Sequence, residues 1–276
     1  MLASALFGGL LPQVAAQTPP PRSGDYLFAS TADDARALWV NPAGLARPIA
    51  SLFGEFSSVR AADGGWRLGQ YSFALSSRSA AIGYQRDRFE NQPSLGTWRV
   101  GGAIALTKMS LGTSIVLRSG GRSWDAGILY TPLPKLAVGL VVRNIGRPVV
   151  RDSAQRLVAV GGVTLRPARG TAFTAEVLAT ERRPATGSDK RYRAGAQIVL
   201  PARWPITVTS AFEFDSRASG TRLARWSIGL ALGRMNQLVG VATAVEPEGA
   251  ARSLASYSVA AVAKGVIRQV GPAGPL

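Results

Sequence analysis

Glu213 and Asp215 stand two residues apart in a stretch that alternates polar and apolar side chains, which puts both carboxyls on one face. Paired carboxylates can act as general acid and base when their surroundings push the two pKa values apart at a substrate site. Arg191, Arg193 and Arg225 occupy the matching faces of neighbouring stretches, and Arg99 that of a more distant one. Beside so many guanidinium groups, the carboxylates read as rungs of an internal charge ladder. Glu55 and Glu176 fall in similar stretches. The chain has no His and no Cys. That excludes a Ser-His-Asp triad, an H-E-x-x-H zinc site, a thiol nucleophile and an iron–sulfur cluster. Zinc and copper lose their usual ligands as well. The Arg118–Arg122 run, R-S-G-G-R, has glycines but no helix after it, so it reads as a turn and not as a phosphate loop. No catalytic residue, metal or cofactor is expected.

The charge balance has its own bearing on partners. The 276 residues carry 32 Lys and Arg against 16 Asp and Glu, for a net charge of +16. Lys occurs only at Lys108, Lys135, Lys190 and Lys264, and Arg is spread along the chain beside Gly, Pro, Ser or Asp. Nucleic-acid binders gather their charge into a patch or tail, so a nucleic-acid partner is not expected. Charged residues make up only 17% of the chain, below the ~25% of soluble domains. The surplus suits a polar lumen or anionic lipid headgroups.

These residues need elements that hold them, and from Ser51 onward the period is two. Ile206, Val208, Phe212 and Phe214 alternate with Thr207, Thr209, Glu213 and Asp215. Ala224, Trp226, Ile228, Leu230 and Leu232 alternate with Arg225, Ser227 and Gly229, and Tyr192, Ala194, Ala196 and Ile198 with Arg191, Arg193, Gly195 and Gln197. Val100, Ile104 and Leu106 likewise oppose Arg99, Gly101 and Ala103. One face is apolar; the other is small or charged. Segments of about 10–13 residues exceed ordinary sandwich strands and match strands tilted across a bilayer. Fourteen such segments can be counted, centred near residues 55, 71, 83, 102, 114, 127, 140, 161, 175, 195, 210, 227, 239 and 259. Tight connections follow the even-numbered segments. Longer ones follow most odd-numbered segments, as at Phe89–Gly96, Asn144–Arg156, Thr180–Lys190, Asp215–Thr221 and Val245–Arg252. That parity predicts an all-β fold, a transmembrane antiparallel barrel of about fourteen strands over residues 49–267. Ile206, Val208, Phe212, Phe214, Trp226, Ile228 and Leu230 would then meet lipid, and Arg99, Arg191, Arg193, Glu213, Asp215 and Arg225 the lumen. A soluble exported β-sandwich or adhesin is the alternative.

Leu2–Val14 is apolar and too short to span a bilayer, and Val14-Ala15-Ala16 fits a cleavage site, so residues 1–16 read as a signal peptide. Export without a helical anchor points to the cell envelope. Between signal and barrel, residues 17–48 break the alternation. A short helix is expected over Asp33–Val40, capped by Ser30 or Thr31, with Asp33 and Asp34 at its positive end. Asn41-Pro42 should stop it, and Gly44 should allow a sharp turn. Residues 268–276 read as a tail, or as the junction to a longer polypeptide.

The segment D-D-A-R-A-L-W-V-N-P-A-G-L-A, from Asp33 to Ala46, resembles the hatch motif of FadL-like outer-membrane barrels, a superfamily that includes the PorV/PorQ proteins of type IX secretion. Leu133–Gly146 resembles a Gly-rich strand of the PorV-like branch. The resemblance implies fourteen strands and an N-terminal hatch folded into the barrel over about Tyr26–Pro48. Asp33, Asp34, Trp39, Asn41, Pro42, Ala43 and Gly44 would carry the hatch motif, Asn41 to Gly44 forming its turn. It also implies outer-membrane lipid as surroundings, and as partners hydrophobic small molecules or secreted proteins and their machinery. The chain is shorter than typical members, so large ligand-binding outer loops are not expected.

Overall fold

The computed structural model describes residues 25–47, 49–60, 65–89, 92–150, 153–181, 188–217, 220–233, 237–246 and 254–266. The expected signal peptide and C-terminal tail, and the first residues of the expected hatch, lie outside them. Two short helices come first: α1 (Ala37–Val40) and a 3₁₀ turn over Pro42–Ala46. Strands follow as β1 (Ile49–Arg60), β2 (Trp66–Ser77), β3 (Ala80–Phe89), β4 (Gln92–Ala105), β5 (Met109–Arg118), β6 (Gly121–Leu133) and β7 (Leu136–Ile145). After two minimal strands, β8 (Val149–Val150) and β9 (Ser153–Ala154), come β10 (Val158–Leu165), β11 (Thr171–Glu181), β12 (Ser188–Leu200) and β13 (Ile206–Arg217). The last are β14 (Gly220–Leu232), β15 (Gln237–Glu246) and β16 (Leu254–Val266).

All strands but β8 and β9 join one closed antiparallel ring, in which β1 pairs with both β2 and β16. The ring has fourteen strands, and each expected segment centre falls within one of them. Closure gives every wall strand two partners and leaves no sheet edge. A closed ring is also not two packed sheets, so the sandwich alternative is overturned.

Alternation sets two surfaces. On β1, Ser51, Phe53, Glu55 and Ser57 are buried inward while Leu52 and Phe56 are exposed. The outer face continues through Phe73, Ile82, Trp98, Val100, Leu140, Phe173, Ile198 and Leu230. Aromatic rings meet along it: Phe56 with Phe73 at 5.4 Å, Tyr84 with Trp98 at 4.8 Å, and Phe212 stacked on Trp226 at 6.1 Å.

Two expectations need correction. The regular alternation drawn through Ala224 breaks, because Glu213 pairs with Arg225 and Phe214 with Leu223. Ala224 is an extra residue, a bulge that keeps both Arg225 and Arg222 opposite carboxylate-bearing positions of β13. Two of the long connections also shrink. β3 ends at Phe89 and β4 starts at Gln92, and β13 and β14 run to Arg217 and from Gly220, because the strands extend past the stretch that alternation alone marks. The connection over 146–157 keeps its length and folds back as the β8–β9 hairpin, burying Val150 and Gln155 and pairing Arg147 with Glu181.

At the opposite end the turns are tight. Arg78 and Ser79 both have positive φ, 45° and 73°, the backbone of a two-residue I′ hairpin whose twist matches its strands.

The wall is glazed inward with glycine where the N-terminal segment crosses it. A Cβ on Gly127 would run into Asn41, one on Gly112 into Pro42, and one on Gly139 into Ala29. Gly161, by contrast, looks outward at Leu140 and Val177. Gly127→Val is expected to expel the segment at a cost of about 1–3 kcal/mol or more, whereas Gly161→Val leaves it seated. Limited trypsin digestion reads this directly, as new cleavage after the partly buried Arg36 in the first variant and none in the second.

Candidate functional site

Residues 25–47 touch the wall on opposite sides of the ring, so they run through its interior. The 3₁₀ turn packs on β3 to β6. Asp25 and Ala29 reach β14 and β11. Lys264 of β16 meets Asp33 and Asp34. A segment without regular structure must find partners for its backbone groups when buried. The wall supplies them: Arg193 donates to the carbonyls of Asp25 (3.0 Å) and Leu27 (3.4 Å), Arg143 to that of Val40 (2.8 Å), and Ser227 to that of Asp25 (2.9 Å). Glu176 accepts from the Ala29 amide at 2.7 Å, and the Ser51 hydroxyl from that of Ala35 at 2.7 Å.

The motif residues sit at the centre of this arrangement. Asn41 is fully buried; its Nδ2 donates to Ala29 at 2.7 Å and to Ile128 of the wall at 3.1 Å, and its Oδ1 accepts from Ala43 at 3.1 Å. One side chain thus folds the segment on itself, caps the 3₁₀ turn and pins both to β6. Pro42 and Ala43 lie buried beside it. Trp39 meets Phe53 edge-on at 6.0 Å and packs in one apolar cluster with Leu38, Val40 and Leu45.

The helix itself differs from expectation. It begins at Ala37, has Arg36 at its N-cap position, and takes no side-chain cap from Ser30 or Thr31. Ser30 instead bonds Thr164 of the wall (2.7 Å), and Thr31 turns back on Phe28 (3.1 Å). Asp34 stands at the helix start as expected, accepting the Arg36 backbone amide at 3.0 Å, and serves also as a counter-charge, gripping the Arg36 side chain at 2.7 Å and Lys264 at 3.2 Å. Asp33 lies between Arg47 and Lys264, each at 3.2 Å. Gly44 has no positive φ; it is needed because a Cβ there would strike the Ala32 carbonyl.

The charged set divides in three. Arg193 holds Glu176 (2.9 Å), lies over the Phe28 ring (4.6 Å) and binds the hatch, while Arg225 holds Asp25 (2.7 Å). Arg191 bridges Glu213 (3.0 Å) and Asp215 (2.8 Å), so the two carboxylates of the sequence motif converge on a guanidinium and leave no free acid–base pair. Arg99 pairs with Asp125 on the opposite wall, away from both. Ile206, Val208, Phe212, Phe214, Trp226, Ile228 and Leu230 sit on the outer face, in register with Leu200, Ile198 and Tyr192. Sequence reasoning missed Asp25, Asp125, Arg143, Ser227 and Lys264, although their parity placed most of them inward; which inward residues meet the hatch depends on the path of the hatch.

The hatch fills the lumen unevenly. Between it and β12–β16 lies a gap of about 110 Å³, lined by Tyr26, Leu27 and Arg36 and by Gly229, Ala231, Ala242 and Val262. Burial, then the Glu55 charge, push the Tyr26 phenol up, so it lines the gap as a neutral hydroxyl. Arg36 is neutralised by Asp34. A larger mouth of about 530 Å³ opens at the short-turn end, between the turns at Lys135 and Arg166–Gly170.

No protein-family model and no curated protein matches the chain. Solved structures do. A monoaromatic hydrocarbon channel, CymD, superposes with TM-score 0.59 at 14% identity over 89% of this chain and 97% of that one. A FadL homologue from Pseudomonas aeruginosa gives TM-score 0.53 at 10% identity, over 91% and 99%. The chain has the fold of these barrels.

Burial pushes the Asp34 carboxyl up, but the Arg36 charge, its hydrogen bonds and Lys264 outweigh burial and hold the carboxyl well below the usual range. A depressed folded-state pKa contributes stability that is complete above the ordinary value and lost as pH falls through the folded one. The urea midpoint should therefore begin to drop below about pH 4. Asp34→Ala should lose about 3–5 kcal/mol at neutral pH, by stranding Arg36 in a buried site, and its midpoint should depend less on pH.

Proposed function

We propose that the chain is a non-enzymatic channel of the bacterial outer membrane that passes small, predominantly apolar molecules. The observation that carries this reading is the gap of about 110 Å³ between hatch and wall inside a closed barrel, lined largely by Gly, Ala, Val and Leu, with Thr207, Thr209, Gln197, Tyr26 and the Asp34-paired Arg36 as its polar groups. A cavity of comparable volume is large enough for a benzene-sized guest. CymD, which shares the fold, is a monoaromatic hydrocarbon channel. The outer wall supports the membrane setting: Leu52, Ile82, Ile104, Leu140, Phe173 and Leu232 all stand exposed, and soluble monomers rarely carry so continuous an apolar surface. The ring of strands satisfies its own backbone, as lipid requires. The two-residue connections after Phe89 and Arg217 shorten the rim at that end, which favours passage of small molecules over the PorV-like secretion role.

Uptake of radiolabelled toluene by Gram-negative cells expressing the chain tests the channel. Uptake should rise above that of control cells, and Ala242→Phe, which fills the gap from the wall, should bring it back to the control rate. Uptake that Ala242→Phe leaves untouched would count against the gap as the route. The membrane setting has its own test. Ile228→Arg should cost about 2–4 kcal/mol of folding stability in lipid vesicles, seen as loss of the fast-migrating unboiled band on a denaturing gel, whereas Ile228→Leu keeps the band.

A further inference from the structure

The hatch–wall gap and the short-turn mouth share Gln197 in their walls, and Val199 of the mouth is paired with Thr207 of the gap. Gln197 and Val199 follow Arg193 and Gly195 in the inward parity of β12, and Gly195 lies directly under Phe28 of the hatch. The two spaces are therefore consecutive stations along one interior path.

Their chemistry differs. The gap is neutral and narrow. The mouth carries Lys135 on one turn and Arg166 and Arg169 on the next, and none of its lining residues is acidic. Among the described residues no carboxylate forms an ion pair with any of these three. Asp33, the acidic residue that acts on Arg166, is already held between Arg47 and Lys264 at 3.2 Å each. Burial, then the like charge of Arg47, lower the Arg166 guanidinium below its ordinary value, as expected where cations gather without enough counter-charge. A concave site lined by one sign of charge raises the local concentration of the opposite sign.

We infer that this mouth is an anion-accepting station, and that the ligands best matched to the path are compact aromatic molecules bearing one anionic oxygen group, such as an arylcarboxylate or arylsulfonate. The ring fits the gap, whose volume is near that of a single benzene site. The anionic group is received by Lys135, Arg166 and Arg169 as the molecule reaches the turns. Gln197, between the two, offers an amide to either. This rests on the channel reading above and narrows it from apolar molecules in general to apolar bodies with an anionic head.

The test uses the full chain folded into phosphatidylcholine vesicles, whose zwitterionic headgroups carry no net charge. Entry of benzenesulfonate is compared with entry of phenyltrimethylammonium, two permanently charged tracers of similar size. Benzenesulfonate should enter about tenfold faster, and the combined Lys135→Gln, Arg166→Gln and Arg169→Gln variant should bring the ratio within about twofold. The exposed single variant Lys135→Gln should move the ratio the same way, so the test survives poor folding of the triple variant. Arg203→Gln, on another short turn and outside the lining, should leave the ratio unchanged. Equal entry of the two ions, entry of neither, or a ratio indifferent to the mouth variants overturns the proposal. Toluene uptake by expressing cells separates the two failures: if it persists, only the anion station falls, and if it is absent, the channel reading falls with it.

Discussion

A ring of fourteen strands encloses more space than its own inward side chains can fill, and the structure follows from how that space is occupied. The filler is a segment with barely one turn of α-helix, so it cannot satisfy its own backbone or bury its own apolar face. It is stable only against the wall, and only if the wall lets it come close. Glycine provides the clearance: Gly83 and Gly101 under Leu38 and Trp39, Gly112 and Gly127 under Pro42 and Asn41, Gly139 under Ala29 and Gly195 under Phe28. At each, an added Cβ would come within 3.0 Å of the hatch. Glycine is usually a weak choice in a strand, and here the weakness is accepted at the places where another backbone must approach.

Close approach then dictates the electrostatics. Irregular backbone pressed against a wall leaves carbonyls with no ladder to join, and an orphaned buried carbonyl costs about 1–3 kcal/mol. Long guanidinium side chains span the remaining distance, which is why Arg143 and Arg193 end on backbone oxygens of the hatch and not only on carboxylates. Each such Arg needs a counter-charge to be tolerated indoors. Glu176 does both jobs at once, pairing Arg193 through one oxygen and accepting the Ala29 amide through the other. Part of the arginine-rich composition, which on its face resembles a polyanion binder, is used here to hold the hatch, through Arg143, Arg193 and Arg225.

The wall was legible in the sequence because a strand with two different surroundings must alternate, and alternation survives in Ile206–Asp215 and Tyr192–Ile198 without any knowledge of partners. The bulge at Ala224 was not legible, since one extra residue looks like continued alternation until the register with Phe214 is known. The hatch was legible as a break in the pattern and as a motif, but not in its mechanics. Asp33 and Asp34 look like helix-end charges; their partner Lys264 lies 231 residues from Asp33, and only the closing of β1 on β16 brings it there. Gly44 suggests a turn, yet the reason for it is the Ala32 carbonyl.

The same arrangement fills the barrel unevenly, leaving a gap beside the hatch. The motif half of the hatch is locked: Asn41 bonds the wall directly, and the 3₁₀ turn seats on β3 to β6 with backbone almost touching backbone. Against β13–β15 the wall residues are equally small, with Thr209, Gly229 and Ala242 in one row and Thr207, Ala231 and Gly240 in the next, but there the hatch does not advance to meet them. Small side chains on one side of the barrel are filled by protein; on the other they are left as space. A uniformly packed plug would seal the lumen, and a uniformly loose one would not stay folded. Anchoring on one side leaves a narrow gap of about 110 Å³ on the other while the hatch stays seated in the barrel.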